Sequence, residues 1–330
     1  MIEVIKTDIN NSKEWSDFLK ADYNLFFDPI FISYNDVFNK GLLWHHLIFK
    51  EKNKVLAILN GCEINNKTGK TYVSCNGVSF GGFIWRDKLD VLDYIKVLNL
   101  FKNYLREQNF EHCIIRNPPC VYQKNLNEEY DYALISQGFQ IRSFSITNII
   151  NLNDFDFNKL PNPKKRAIQK SEKIIDIKFI ENNVTVENLT HWYNILLKNR
   201  EQKGVKPTHT LEELVYLKNH LPDKIIFLYA TVEGTICGVC ILFTVKTDVI
   251  LNFYLAADIK FKKYRVSDFL LYKSIEWSKQ NNFRLYDIGT SNVGNTILEG
   301  LFDFKKKFLA NGFLRMVFEI NLKDYNENNQ

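Results

Sequence analysis

The chain has 330 residues, 45% hydrophobic and 25% charged, the composition of a folded protein long enough for about two domains at roughly 150 residues each. Lys and Arg number 43 against 38 Asp and Glu, and the resulting +5 is spread along the chain, so no broad basic face for duplex DNA is expected. Charges interrupt every apolar run well short of the roughly 20 residues a membrane span needs, which excludes a spanning helix.

The first eight residues alternate apolar and charged side chains and lack the basic start and apolar centre of a secretory signal, so a cytoplasmic protein is expected. A strand is predicted near 2–5, then a helix over 12–21 capped by Asn11 or Ser12, and a second helix from Pro29 through Phe38. Residues 44–49 and 55–62, rich in branched and aromatic side chains, form a hairpin across the polar turn 50–54. Strands follow at 71–75 and 80–85. Apolar positions at Leu92, Ile95, Leu98, Phe101 and Leu105 then predict a helix over 89–108, ahead of a strand at 113–116. Cys62, Cys75, Cys113 and Cys120 have no metal-ligand spacing.

The second half repeats this grammar. Helices at 186–198 and 211–220 precede a hairpin, 225–232 and 236–245, turning at Glu233-Gly234. A strand at 249–256, a helix at 267–280 and a strand at 284–288 complete it. The Cys237-Gly238-Val239-Cys240 segment lies in an apolar strand, where residues three apart face opposite sides, so strand packing is expected and no metal. Each half ends in a matching Gly-Phe junction, Gly138-Phe139 and Gly312-Phe313, that feeds a final strand. The fold class read from this is α/β (α+β), two copies of one unit in tandem, each a mixed and mostly antiparallel sheet flanked by helices. The boundary is expected at 160/161, with the last strand free to pack back on the first domain.

Two segments carry a resemblance: Tyr286-Asp287-Ile288-Gly289-Thr290-Ser291, and Gly300-Leu301-Phe302-Asp303-Phe304-Lys305-Lys306-Lys307-Phe308. They are similar to the D-x-G-x-S and Gly-Leu…Phe-Lys-x-x-Phe segments of tandem GNAT acyltransferases of the FemAB branch, the peptidoglycan bridge aminoacyltransferases and their uncharacterised relatives. The basic run from Lys164 to Lys173 resembles the helix that opens the family's second unit. Two departures stand out. No long charged heptad segment supplies a coiled-coil arm, and the loop 260–266 lacks the paired glycines with which ordinary GNAT enzymes wrap coenzyme A pyrophosphate.

The resemblance implies a bacterial-type acyltransferase, connected with the cell envelope, that forms an amide in a cleft where the two units meet. The donor is either an acyl-CoA such as acetyl-CoA or an aminoacyl-tRNA. The acceptor is a small-molecule or cell-wall-precursor amine, and tRNA is a partner in the second case. Asp287 would take the amine proton, or would instead tie down the Gly289 turn; Lys305 would stabilise developing negative charge, or would sit on a solvated face. Donor contacts are expected from Asn252, Phe253 and Tyr254 on one strand, and from Ser291 and Asn292 after the next. Lys262, Lys263, Tyr264 and Arg265, before the helix that begins at Ser267, form an expected phosphate site. On the acceptor side stand Gly81 and Gly82, whose alternative is a strand bulge, then Arg116 and Tyr122, and the helix residues Lys165, Arg166 and Lys170, whose alternative is a solvated face. A non-catalytic GNAT-fold binding or regulatory protein is the other class open to this sequence, and oligomeric state is not legible in it.

Overall fold

The computed structural model describes residues 1–38, 41–66, 69–74, 76–123, 126–180 and 183–323. In chain order the elements begin with β1 (Ile2–Lys6), α1 (Lys13–Ala21), α2 (Pro29–Phe38), β2 (Leu43–Trp44), β3 (Leu47–Glu51), β4 (Lys54–Leu59) and β5 (Gly61–Asn66). Then come β6 (Gly69–Ser74), β7 (Phe83–Trp85), α3 (Val91–Glu107), β8 (His112–Arg116), α4 (Glu129–Ser136) and β9 (Gln140–Asn151). The chain continues with α5 (Asn162–Glu172), β10 (Ile175–Phe179), α6 (Val186–Glu201), α7 (Leu211–His220), β11 (Ile225–Val232), β12 (Thr235–Lys246) and β13 (Val249–Ala257). It ends with α8 (Val266–Gln280), β14 (Leu285–Thr290), the two-residue strands β15 (Asn292–Val293) and β16 (Thr296–Ile297), α9 (Glu299–Lys306) and β17 (Asn311–Asn321).

Two compact units result. The first holds Met1–Ile146, Asn292–Thr296 and the segment from Phe313; the second holds Thr147–Ser291 and Ile297–Gly312. The division therefore falls at 146/147 rather than at 160/161, because residues 147–151 of β9 pair with β14 and Leu152, Phe155 and Leu160 join the second core.

In the first unit β1, β3, β4 and β7 form an antiparallel sheet, and β17, β8, β6, β5 and β2 follow one another in a second row, where only the β8–β6 pair is parallel. Helix α3 starts at a capping box in which Asp90 accepts from the Leu92 and Asp93 N–H groups. It lays Val97, Leu98, Phe101 and Leu105 into a core shared with Phe49, Tyr72, Phe83 and Phe318.

In the second unit the order is β10, β11, β12, β13, β14 and the end of β9, antiparallel except for β13 and β14. The β11–β12 hairpin turns on Glu233 and Gly234, both at positive φ (48° and 76°), as a two-residue turn matched to strand twist requires. Helices α6 and α7 start at capping boxes on Thr185 and Thr210. Helix α8 packs with α5 over one sheet face, and Trp192 of α6 stacks on Phe227 on the other, with ring centres 4.9 Å apart.

Several local expectations are corrected. The expected strand 80–85 is only β7, because Gly82 adopts φ +76° and the Gly81 N–H bonds the Arg116 carbonyl. The expected strand 55–62 is two strands parted at Asn60, and β10 was not foreseen. Helix α8 begins at Val266 rather than Ser267. Cys237 and Cys240 do not face opposite sides: Ala230 pairs with Gly238 and Thr231 with Ile236, so Cys237 is the extra residue of a bulge and both thiols join one core. Cys75 lies outside the described residues. Among those described, no helix is long and apolar enough to cross a membrane.

Gly238 sets how closely α8 approaches the sheet. A Cβ built there would lie 2.5 Å from Val266 Cγ1 and 3.3 Å from the Ala256 carbonyl oxygen. Gly238→Val is expected to cost the second unit about 1–3 kcal/mol and to loosen the first turn of α8. Urea unfolding with amide exchange across 266–270 checks both; an unchanged midpoint would mean the helix start adjusts freely.

Candidate active site

Strands β13 and β14 pair over only three positions, Val249 with Leu285, Ile250 with Tyr286 and Leu251 with Asp287. Beyond that pair the ladder stops. On the far side of β13, Ile241 of β12 pairs with Tyr254 and Leu242 with Asn252, so Phe253 is the extra residue of a bulge. On the far side of β14, Asp287 pairs with Ile149 and Thr290 with Thr147, which leaves an irregularity at Ile288 and Gly289. Both strands thus distort where they part, and main chain on their facing edges runs on without a strand partner.

Gly289 is fixed from both ends. Its N–H donates to Asp287 Oδ1 at 2.6 Å, and Lys305 Nζ donates to the carbonyls of Gly289 and Thr290, both at 2.7 Å. Asp287 is fully buried and also accepts from Thr147 Oγ1 at 2.5 Å. Of the two alternatives for Asp287, the bond to the Gly289 turn is present. Lys305 is buried too, while Lys306 and Lys307 point outward, Lys307 to Asp303 at 2.5 Å. The solvated-face alternative therefore fails for Lys305 and holds for its two successors.

Asn252 is buried and donates to the Tyr286 hydroxyl at 2.8 Å, which is 2.6 Å from Ser274 Oγ. Burial pushes the Tyr286 phenol well up. Half-buried Phe253 stacks on Phe243 with 4.6 Å between ring centres, and its neighbour Tyr254 is buried with its hydroxyl on the backbone N–H and Nδ1 of His209, at 3.0 and 3.1 Å. Tyr193 holds the His209 carbonyl at 3.0 Å. The Tyr254 hydroxyl is thus already engaged, and its ring is buried against His209 and Phe253. Ser291 is buried against Asn148 Oδ1 at 2.5 Å, and Asn292 Oδ1 accepts from the Ile146 N–H at 2.9 Å.

The expected phosphate loop is a 3-10 turn, Ile259–Tyr264, with Lys262 and Lys263 exposed and Lys263 Nζ 4.8 Å from the Tyr264 ring centre. Arg265 precedes α8 at φ +56° and pairs through Nε with Asp268 Oδ2 at 2.9 Å. Ser267, half-buried, stands in the first turn. Asp268 is buried and holds a second cation that sequence reasoning missed as a site residue, Lys164 of α5. The Lys164 ammonium lies 4.6 Å from the ring centres of both Phe304 and Phe308. Its spacing with Ile168 and Ser171, the other buried residues of α5, was the available signal, since all three lie on one helix stripe.

The acceptor-side residues fall into two groups. In the first unit Gly81 and Gly82 meet the turn after β8: the Gly81 N–H bonds the Arg116 carbonyl at 2.8 Å, and a Cβ at Gly82 would lie 2.6 Å from Asn117 Oδ1. Arg116 is exposed, and buried Tyr122 meets Phe80 edge to face. In the second unit Lys165 donates to the Asn158 carbonyl at 3.0 Å, while Arg166 and Lys170 are exposed on α5. Among the described residues no group of three His, Cys, Asp or Glu side chains could hold a metal ion.

Burial pushes His209 down to about 4 from 6.5. The unfolded chain therefore binds a proton that the folded chain refuses between about pH 6.5 and 4, so this contribution to stability is complete above that window and is lost as pH falls through it. His209→Gln is expected to flatten the decline of the second unit's urea midpoint between about pH 7 and 5; equal slopes in both proteins would mean His209 is not the group that titrates.

No protein-family model matches the chain, and no curated protein sequence matches it. Solved structures do share the fold. FemX aligns with a TM-score of 0.73 at 12% identity, over 99% of this chain and 100% of FemX. L-PGS from Bacillus licheniformis aligns at 0.62 and 12% identity, over 93% and 91% of the two chains. A tandem GNAT protein from the clavulanic acid biosynthesis pathway aligns at 0.56 and 8% identity, over 99% and 100%.

Proposed function

With the tandem GNAT, FemAB-like fold as premise, we propose that this chain is an acyltransferase that joins an activated acyl group to an amine, with the reaction centred where β13 and β14 part. The observation that carries this reading is the parting itself, with the Phe253 bulge on one strand and the Gly289 turn on the other. Unpaired main chain there suits an acyl group, because backbone N–H groups fixed in place stabilise an oxyanion without reorganising. The amine nitrogen attacks the acyl carbon, the carbonyl oxygen takes the negative charge, and the carbonyl re-forms as the bond to sulfur or oxygen breaks. The proton lost by the amine ends on the departing thiolate or alkoxide. In this reading Asp287 and Lys305 are positioning residues, since both act on the Gly289 backbone.

The donor is an acyl-CoA or an aminoacyl-tRNA, and one feature supports the second. The first turn of α8, where a pyrophosphate would be wrapped, already contains the Asp268 carboxylate, paired with Lys164 and Arg265. The acceptor is an amine of the cell-wall-precursor or small-molecule class. The commitment of Asp287 and Lys305 to backbone favours the alternative of a GNAT-fold binding protein, and turnover decides between them.

Thermal unfolding with saturating acetyl-CoA is the first experiment, since a ligand at about 100 times its Kd adds roughly 2.7 kcal/mol. A raised midpoint identifies a thioester donor; an unmoved one, with transfer from charged tRNA to amine acceptors, identifies the other. Absence of both overturns the enzyme reading. Lys305→Met is expected to lower turnover at least about tenfold with little change in donor affinity. Equal loss in both, or in neither, would separate Lys305 from the reaction.

A further inference from the structure

Arg200 is the second unit's unexplained charge. It lies in the last turn of α6, with its guanidinium carbon 5.3 Å from the Tyr254 ring centre. Its Nε is buried and has no hydrogen-bond partner among the described residues, and burial lowers its pKa with only the Tyr254 phenol, no carboxylate, opposing the shift. The next residue back repeats the pattern, for Asn199 Oδ1 is also buried without a partner. Lys203, one turn on, is lowered by its surroundings and then by the Arg200 charge, so two cations crowd one another.

A helix C-terminus favours a cation, which explains the charge at this position but not a buried donor that reaches no carbonyl. Its position over the Tyr254 ring explains where the guanidinium sits, and leaves the Nε–H unused. Half-burying a guanidinium while leaving its buried Nε–H unpaired is costly, and a planar fork of donors matches one kind of partner, an oxyanion with two oxygens. Tyr254 follows directly on the bulged Phe253, so the fork lies one ring away from the proposed reaction centre.

We infer that Arg200 binds a carboxylate or phosphate group of the amine that this unit acylates, held edge-on to the guanidinium above Tyr254. Its placement on the acceptor rests on the acyltransferase reading; the anion site itself does not. An anionic acceptor would be anchored by the fork, with its amine directed toward the Phe253 bulge.

The test uses the whole chain without turnover. Inorganic phosphate and acetate are titrated separately against thermal unfolding, at ionic strength held constant with chloride, for the native protein, R200Q, R200K and the surface control K96A. One of the two anions is expected to raise the midpoint of the native protein and of K96A. R200Q should bind it about tenfold or more weakly, and R200K, which keeps the charge but not the fork, should fall between. A response to phosphate identifies a phosphoryl group, and one to acetate a carboxylate. No response beyond chloride in the native protein, or the same response in R200Q, overturns the inference, and R200K carries the comparison if R200Q does not fold. Anion binding without acyl transfer would sink only the acyltransferase reading; transfer with no anion response would sink only this one.

Discussion

The second unit depends on a single constraint, the holding open of β13 and β14. Two parallel strands that pair over three residues would gain by pairing further, since each main-chain N–H and C=O wants a partner. What prevents closure is a glycine whose own peptide groups are bonded elsewhere. Asp287 takes the Gly289 N–H and Lys305 takes its carbonyl, so the backbone of β14 is satisfied by side chains before β13 can reach it. On the other strand the Phe253 bulge turns the ladder out of register. The opening is thus a bonded state of the molecule, not a gap left by poor packing.

Three buried charges and one half-buried one, Arg200, lie in this unit, and each is compensated differently. The Asp287 carboxylate receives a hydroxyl and an N–H, and the Lys305 ammonium is set against two carbonyls. Lys164 has a carboxylate and two aromatic faces, and only Arg200 has an aromatic face alone. Removing any of the first three would strand its partners, because an unpaired polar group in a low-dielectric interior loses its solvation without recompense.

What could be read from sequence was local, and what could not was cross-strand. The turn at Glu233-Gly234 was legible because both of its positions need positive φ and the segment sits between two apolar runs. The tandem order of helices, hairpin and strands was legible for the same reason, with periodicity and punctuation carried by neighbouring residues. The bulges at Cys237 and Phe253 were not, since a bulge is a relation between two strands and leaves no mark on either one. Lys164 shows the same limit in a helix: it reads like Lys165 and Arg166 in a basic run, yet it faces a carboxylate a hundred residues on, Asp268. Arg200 was invisible because its environment comes from Tyr254 on another element.

The division of the chain into units also bears on how it folds. The first unit needs the segment from Phe313, for β17 lies against β8 with Val317 opposite Arg116, a separation of about two hundred residues. On the ribosome β8 therefore emerges long before its neighbour exists, and its open edge must wait through synthesis of the whole second unit. The second unit closes with Ile297–Gly312, shortly before. Neither unit reaches its final form until β17 and the segment before it have been made, so the two complete within a few dozen residues of one another, and a chain cut between the units is not half of this protein.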